Sequence, residues 1–171
     1  MGGTITFISE QGIGTTFVIT IPFKINEDVA RDEEKQEEVT ASIRGLNILL
    51  VEDNELNMEI AEFVIQSEGA SVVKAWNGQE AVEAFEKSAS GEFDVILMDV
   101  MMPVMDGLQA AKEIRKLSRE DAKTIPMIAL SANAFEEDRK KTREAGMNQH
   151  VSKPLDANQL FAILTQYKKQ K

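Results

Sequence analysis

Two hydrophobic rhythms divide the chain. Near its start, Thr4-Ile5-Thr6-Phe7-Ile8 and Thr16-Phe17-Val18-Ile19-Thr20-Ile21 alternate polar with apolar residues, the period of a β-strand. The stretch between them, Ser9-Glu10-Gln11-Gly12-Ile13-Gly14-Thr15, carries turn glycines. The segment therefore predicts a β-hairpin, with Pro22 closing its second strand. A lone hairpin is marginal in water, so this one needs a surface to pack on. Residues 24–45 break the rhythm. Glu27 to Glu38 holds seven acids against Arg31 and Lys35 and almost no large apolar side chain. That composition resists packing and predicts a solvated tether rather than a helix.

From Leu46 onward, strand-length apolar runs alternate with helical patterns. Strands are predicted at Asn47–Val51, Ser71–Ala75, Phe93–Met98, Ile125–Leu130 and Gln149–Val151. The first helix spans Glu55–Ser67, with Leu56, Ile60 and Val64 on its inward face and Gly69 just past its end. The second spans Asn77–Ser88, with Ala81, Val82 and Phe85 inward. Asp106 is placed to cap a third, running to about Leu117. A mostly polar fourth covers Phe135–Ala145 and ends at Gly146. Asp156 caps the last, with Leu160, Ile163, Leu164 and Tyr167 at i, i+3, i+4 and i+7. Five β/α units predict an α/β domain over residues 46–171, a doubly wound parallel sheet covered on both faces.

Composition narrows the chemistry. The 171 residues are 43% hydrophobic, as in a globular protein, and carry a net charge of −10. That charge speaks against nucleic-acid binding and suits a collector of divalent cations. There is no cysteine and one histidine, so disulfide, thiolate and His/Cys zinc chemistry are excluded. No apolar run approaches the roughly 20 residues of a membrane span, and the start lacks the pattern of a signal peptide. The expectation is a cytoplasmic segment with no direct membrane insertion.

Acids end two of the strand runs: Glu52-Asp53 after the first and Asp99 after the third. In a parallel α/β sheet those ends share one edge, where ligands bind. Three acids there repel one another unless a divalent cation sits among them. This argues for a Mg²⁺ site beside a carboxylate nucleophile. Blander readings exist for single residues. Glu52 and Asp53 could precede and cap the helix beginning near Glu55, Ser131 could be an ordinary loop serine, and Lys153 a solvated lysine. Capping fails for Asp99, because bulky apolar residues and Pro103 follow it.

Taken together, residues 46–171 resemble the receiver domain of two-component signalling. The resemblance rests on Glu52-Asp53, on Asp99, and on Met102-Pro103-Val104-Met105-Asp106-Gly107 behind it. Ser131-Ala132 after the fourth strand and Lys153-Pro154 after the fifth complete it. It implies a flavodoxin-like sheet with strand order 2-1-3-4-5. It further implies that Asp99 is the phosphorylated nucleophile, and that Asp53, Asp99 and the Met101 carbonyl hold Mg²⁺ with Glu52 acting through water. Lys153, the Ser131 hydroxyl and the Ala132 amide would contact the phosphoryl group. Lys153-Pro154 would be cis. His150 stands where receivers often carry Tyr or Phe as the partner of Ser131 in a conformational switch, which puts that half of the switch in question. The polar fourth helix fits an element that shifts on activation.

Residues 1–23 resemble the terminal strand pair of the histidine-kinase ATP-binding domain, through Gly2-Gly3-Thr4-Ile5, Gly12-Ile13-Gly14-Thr15-Thr16-Phe17 and Ile21-Pro22-Phe23. The family's nucleotide-binding motifs and phosphorylatable-histidine helix are missing, so this chain is not expected to bind ATP or phosphorylate itself. The implied parent is a hybrid histidine kinase. Implied partners are a kinase phosphohistidine domain and a histidine phosphotransfer protein. The alternative is a stand-alone response regulator acting by protein binding. A Mg²⁺-dependent phosphatase is disfavoured because Met101 stands where a second acid belongs, and an FMN carrier because strand-edge acids would repel its phosphate.

Overall fold

The computed structural model describes residues 2–22, 42–132 and 136–168. Residues 23–41 and 133–135, which include most of the acidic tether, Phe23 and Phe135, lie outside the described residues; the tether expected to run to residue 45 ends sooner, since Ile43 is buried in the second unit. The chain divides into two units, Met1–Thr40 and Ala41–Lys171.

In the first unit, β1 (Thr4–Glu10) pairs antiparallel with β2 (Gly14–Thr20). The turn closes through Ile13 N–H donating to the Glu10 carbonyl, 3.1 Å. Gly12 there takes a φ of 85°, which a side chain would resist. The register sets Ile5 opposite Ile19 and Phe7 opposite Phe17, with the phenyl centroids 5.9 Å apart. All four side chains remain exposed.

The second unit is a five-stranded parallel sheet. Its strands are β3 (Asn47–Val51), β4 (Ser71–Ala75), β5 (Val95–Asp99), β6 (Met127–Ser131) and β7 (Gln149–Ser152), in the order β4-β3-β5-β6-β7. Counted within the sheet this is the expected 2-1-3-4-5. The helices are α1 (Glu55–Ser67), α2 (Gly78–Lys87), α3 (Gly107–Lys116), α4 (Glu120–Thr124), α5 (Glu136–Glu144) and α6 (Ala157–Leu164), followed by a 3₁₀ turn at Thr165–Tyr167.

Strand periodicity divides the apolar residues between two cores. Leu49, Val51, Ile96, Met98, Met127 and Ala129 face α2 and α3, meeting Ala81, Phe85, Ala110 and Ile114. Ile48, Leu50, Val95, Leu97, Ile128 and Leu130 face the other way, onto Met58, Ala61 and Ile65 of α1 and Leu160 and Leu164 of α6. Burying each of these large side chains stabilises the fold by roughly 1.5–3 kcal/mol. The sheet edge that carries the acids is held by this double core.

Three details differ from the sequence expectations. The buried stripe of α1 is Met58, Ala61 and Ile65, while Leu56 and Ile60 point to solvent at 63% and 50% exposure. The helix carries two apolar stripes, and periodicity alone does not choose between them. The short helix α4 was not anticipated; its one buried residue, Ala122, is too little to set a period. Strands β5 and β6 start later than their apolar runs and include Asp99 and Ser131 as their last residues.

Candidate functional site

Parallel strands with a common direction bring their C-terminal ends together. Glu52 and Asp53 follow β3, Asp99 ends β5, Ser131 ends β6 and Lys153 follows β7. Among the described residues, Glu52, Asp53 and Asp99 each offer a carboxylate oxygen within 4.8 Å of the others. Glu52 and Asp99 are 3% and 5% exposed, whereas Asp53 faces solvent. The acids do not cap α1: Asn54 does, its Oδ1 accepting from the Asn57 backbone N–H at 3.0 Å.

Lys153 reaches into the cluster from the β7 end. Its Nζ donates to Asp99 Oδ2 at 2.5 Å and to Glu52 Oε2 at 2.5 Å. The other Asp99 oxygen, Oδ1, accepts from the Met101 N–H at 3.0 Å. Burial pushes the Asp99 carboxyl above its usual value, and the nearby Glu52 charge adds to this. The bonds from Lys153 and Met101 oppose the rise without cancelling it. Burial works against the Lys153 charge as well, but the two carboxylates outweigh it and hold the ammonium above its ordinary range.

The remaining expected residues are placed as follows. The Ser131 carbonyl accepts from the Lys153 N–H at 2.8 Å, tying the ends of β6 and β7 together; Ser131 is buried and Ala132 exposed. Lys153-Pro154 is cis. The Met101 side chain points outward. His150 is half-buried on β7 opposite Ala129. It lines a cleft of about 120 Å³ with Arg139, Thr142, Arg143 and Asn148. Asp106 caps α3, accepting from the Gln109 N–H at 2.8 Å.

The β5–α3 loop is strained at its tip. Val104 has a φ of 68°, unusual for a β-branched residue, and Met105 N–H donates back to the Pro103 carbonyl at 2.8 Å. This γ-turn leaves Val104 84% exposed. Gly78 N–H, donating to the Met105 carbonyl at 3.0 Å, anchors the loop behind the turn.

One residue of the site escaped sequence reasoning. The Asn57 side-chain amide donates to Glu52 Oε1 at 3.0 Å. Its only signal is its place three residues after the Asn54 cap, on the first turn of α1.

The donor set is all oxygen and largely anionic. That suits a hard divalent cation of the Mg²⁺ type, which is content with few carboxylates and several waters. With Lys153 beside it, the same pocket can neutralise an incoming phosphoryl group.

Known proteins resemble this chain. The response regulator receiver domain family matches residues 48–165, and the chain belongs to that family, a component of two-component phosphorelay signalling. It is 40% identical over 171 residues to the aerobic respiration control sensor protein ArcB of Escherichia coli, a match that covers 98% of this chain and 21% of ArcB. The chain thus spans about a fifth of that relative's length. Among solved structures, the receiver domain of the sensor histidine kinase PA1611 of Pseudomonas aeruginosa, with a magnesium ion in its active-site cleft, superposes with a TM-score of 0.65. It is 40% identical, and the match covers 72% of this chain and 97% of that one. The receiver domain of Ssk1 from Saccharomyces cerevisiae, solved with the histidine phosphotransfer protein Ypd1, gives 0.64 at 30% identity, covering 72% and 89%. No helix among the described residues is long and apolar enough to cross a membrane.

Proposed function

We propose that Asp99 accepts a phosphoryl group from a phosphohistidine, as the receiver of a hybrid sensor kinase. The observation that carries this is the convergence of Lys153 and the carboxylates of Glu52 and Asp53 on the buried Asp99 at the sheet edge. An Asp99 oxygen attacks phosphorus in line, the P–N bond to the imidazole breaks, and an acyl phosphate forms on Asp99. The Met101 N–H holds one Asp99 oxygen and so sets the angle of approach. Lys153 neutralises the incoming oxygens as a mobile point charge. The Ser131 hydroxyl and the Ala132 amide are assigned to the same group. Asp53, Asp99 and the Met101 carbonyl would hold Mg²⁺, with Glu52 acting through water. When bound, the ion supplies charge neutralisation for the transferred group.

Two features support a protein donor. Leu56, Ile60 and Phe63 form an exposed apolar row on α1, with Phe63 at 75% exposure. Ile60 also lines a cleft of about 130 Å³ with Glu52, Lys153, Pro154 and Leu155, so the row runs up to the acceptor pocket. A helix seated on it would bring a histidine over Asp99. The hairpin, with its exposed apolar face, is read as the last strand pair of a kinase ATP-binding domain. The ArcB match extends through it, which favours the hybrid-kinase origin over a stand-alone regulator.

Acetyl phosphate with Mg²⁺, followed by intact-mass measurement, tests the acceptor. The wild-type protein should gain one phosphoryl group and Asp99→Asn none. Equal labelling of both would remove Asp99 from the mechanism.

A further inference from the structure

Glu52 is buried, and among the described residues its carboxylate has two side-chain donors. Asn57 Nδ2 holds Oε1 at 3.0 Å and Lys153 Nζ holds Oε2 at 2.5 Å. Lys153 is shared with Asp99, the proposed acceptor. When Asp99 carries a phosphoryl group, the new dianionic oxygens compete for the same ammonium, and the weaker claim is that of Glu52. A buried carboxylate deserted by its cation is costly unless another donor holds it. Asn57 is so placed. It stands on the first turn of α1, its backbone fixed by the Asn54 cap, and its amide can only donate to a carboxylate.

We propose that Asn57 is a positioning residue for the phosphorylated site, keeping Glu52 turned toward the cation when Lys153 moves to the phosphoryl group. This rests on the acceptor reading given above. Among the described residues the Asn57 side chain bonds Glu52 and not Asp99, so it acts through Glu52. In the resting protein Lys153 shares the task, so losing Asn57 costs little. In the phosphorylated state the amide carries it alone, and the loss is felt in full.

The test compares Mg²⁺ affinity in two states, read by Trp76 fluorescence on titration with Mg²⁺. Trp76 follows Ala75, whose carbonyl accepts from the Glu52 N–H at 3.1 Å, so the Trp76 backbone lies next to the strand end that carries Glu52. One state is the protein alone. The other is the protein with saturating beryllofluoride, a mimic of the phosphoryl group. Asn57→Ala should weaken Mg²⁺ by less than about threefold alone and by about tenfold with beryllofluoride, the size expected for a hydrogen bond to a buried charge. Asn54→Ala, which removes the cap bond to the Asn57 N–H but leaves the amide, should weaken Mg²⁺ with beryllofluoride by clearly less than Asn57→Ala does. Thermal melts confirm that both variants are folded. Equal weakening in the two states would overturn the proposal, as would the same loss in Asn54→Ala, which would trace the effect to the start of α1. If Asp99→Asn responds to beryllofluoride as wild type does, the acceptor reading itself fails. That outcome is separate from a failure of Asn57.

Discussion

Gly107 lies hard against the main chain of Asp99. A Cβ at Gly107 would overlap the Asp99 carbonyl oxygen and come within 2.9 Å of Met98 Cγ. Gly107 N–H also donates to the Val100 carbonyl at 3.1 Å, so the first turn of α3 is stitched to the end of β5. The helix start thereby fixes the backbone that carries the proposed nucleophile. Gly107→Ala should destabilise the domain by about 2–4 kcal/mol, the cost of forcing a tightly packed site apart. Because the relief must come from the end of β5, Mg²⁺ affinity should fall as well. Urea unfolding and Mg²⁺ titration check the two effects together; an unchanged urea midpoint would mean the close approach is not rigid.

Three carboxylates with one lysine among them leave the metal-free site short of positive charge. Asp53 is the member that Lys153 does not bond. Removing its charge should relieve repulsion at no cost in hydrogen bonds. Asp53→Asn is therefore expected to raise the melting temperature of the metal-free protein by about 2–4 °C and to abolish the further rise that Mg²⁺ gives the wild type. Melting curves with EDTA and with Mg²⁺ measure both. A lower melting temperature in EDTA would show that Asp53 holds the pocket together.

Much of this arrangement is legible in the sequence. Asn47–Val51 and Ser71–Ala75 are short apolar runs with clear breaks, and the structure has strands there. The acid pair and Asp99 stand out because each terminates such a run, and parallel topology does the rest. The buried side of α1 is not legible, since Leu56-Ile60-Val64 and Met58-Ala61-Ile65 are both apolar stripes and only the sheet selects one. Nor is the Asn57–Glu52 bond, which joins a helix to a strand end at a separation that matches no period. His150 sits at the β7 position its spacing implies, but its surroundings of Arg139 and Arg143 come from α5, which local sequence does not place.

The loop between α3 and α4 is held by Arg119. Its Nε and Nη2 each lie 2.7 Å from an oxygen of Asp121. It also donates to the Phe85 carbonyl at 2.5 Å and to the Ser88 and Ala89 carbonyls at 3.0 Å, and it lies 4.5 Å over the Phe85 ring. Those Arg119 hydrogen bonds hold the Asp121 carboxyl well below the usual carboxylate range, against a smaller opposing effect of burial; the Gly91 N–H helps. A depressed value in the fold means stability present above the unfolded value, about 3.9, and lost as pH falls below it. Asp121→Asn should therefore melt about 3 °C below wild type between pH 5 and 8, with the gap closing below about pH 4. A gap that is the same at pH 3 and pH 7 would assign the effect to packing.

The exposed row on α1 separates docking from chemistry. Leu56 and Phe63 lie outside both cores, so charging them removes little that holds the fold. Small phosphodonors reach Asp99 without touching the row, whereas a protein donor must rest on a surface beside the pocket. A paired Leu56→Glu and Phe63→Glu variant should label with acetyl phosphate at the wild-type rate and melt within about 1 °C of wild type. Transfer from a phosphohistidine protein should slow at least tenfold, the loss expected when two apolar anchors leave an interface core. Radiolabel transfer from a phosphorylated kinase histidine domain, run beside acetyl phosphate labelling, reads both rates. Equal slowing with both donors would place the defect in the acceptor pocket, and unchanged transfer from the protein donor would remove α1 from the docking surface.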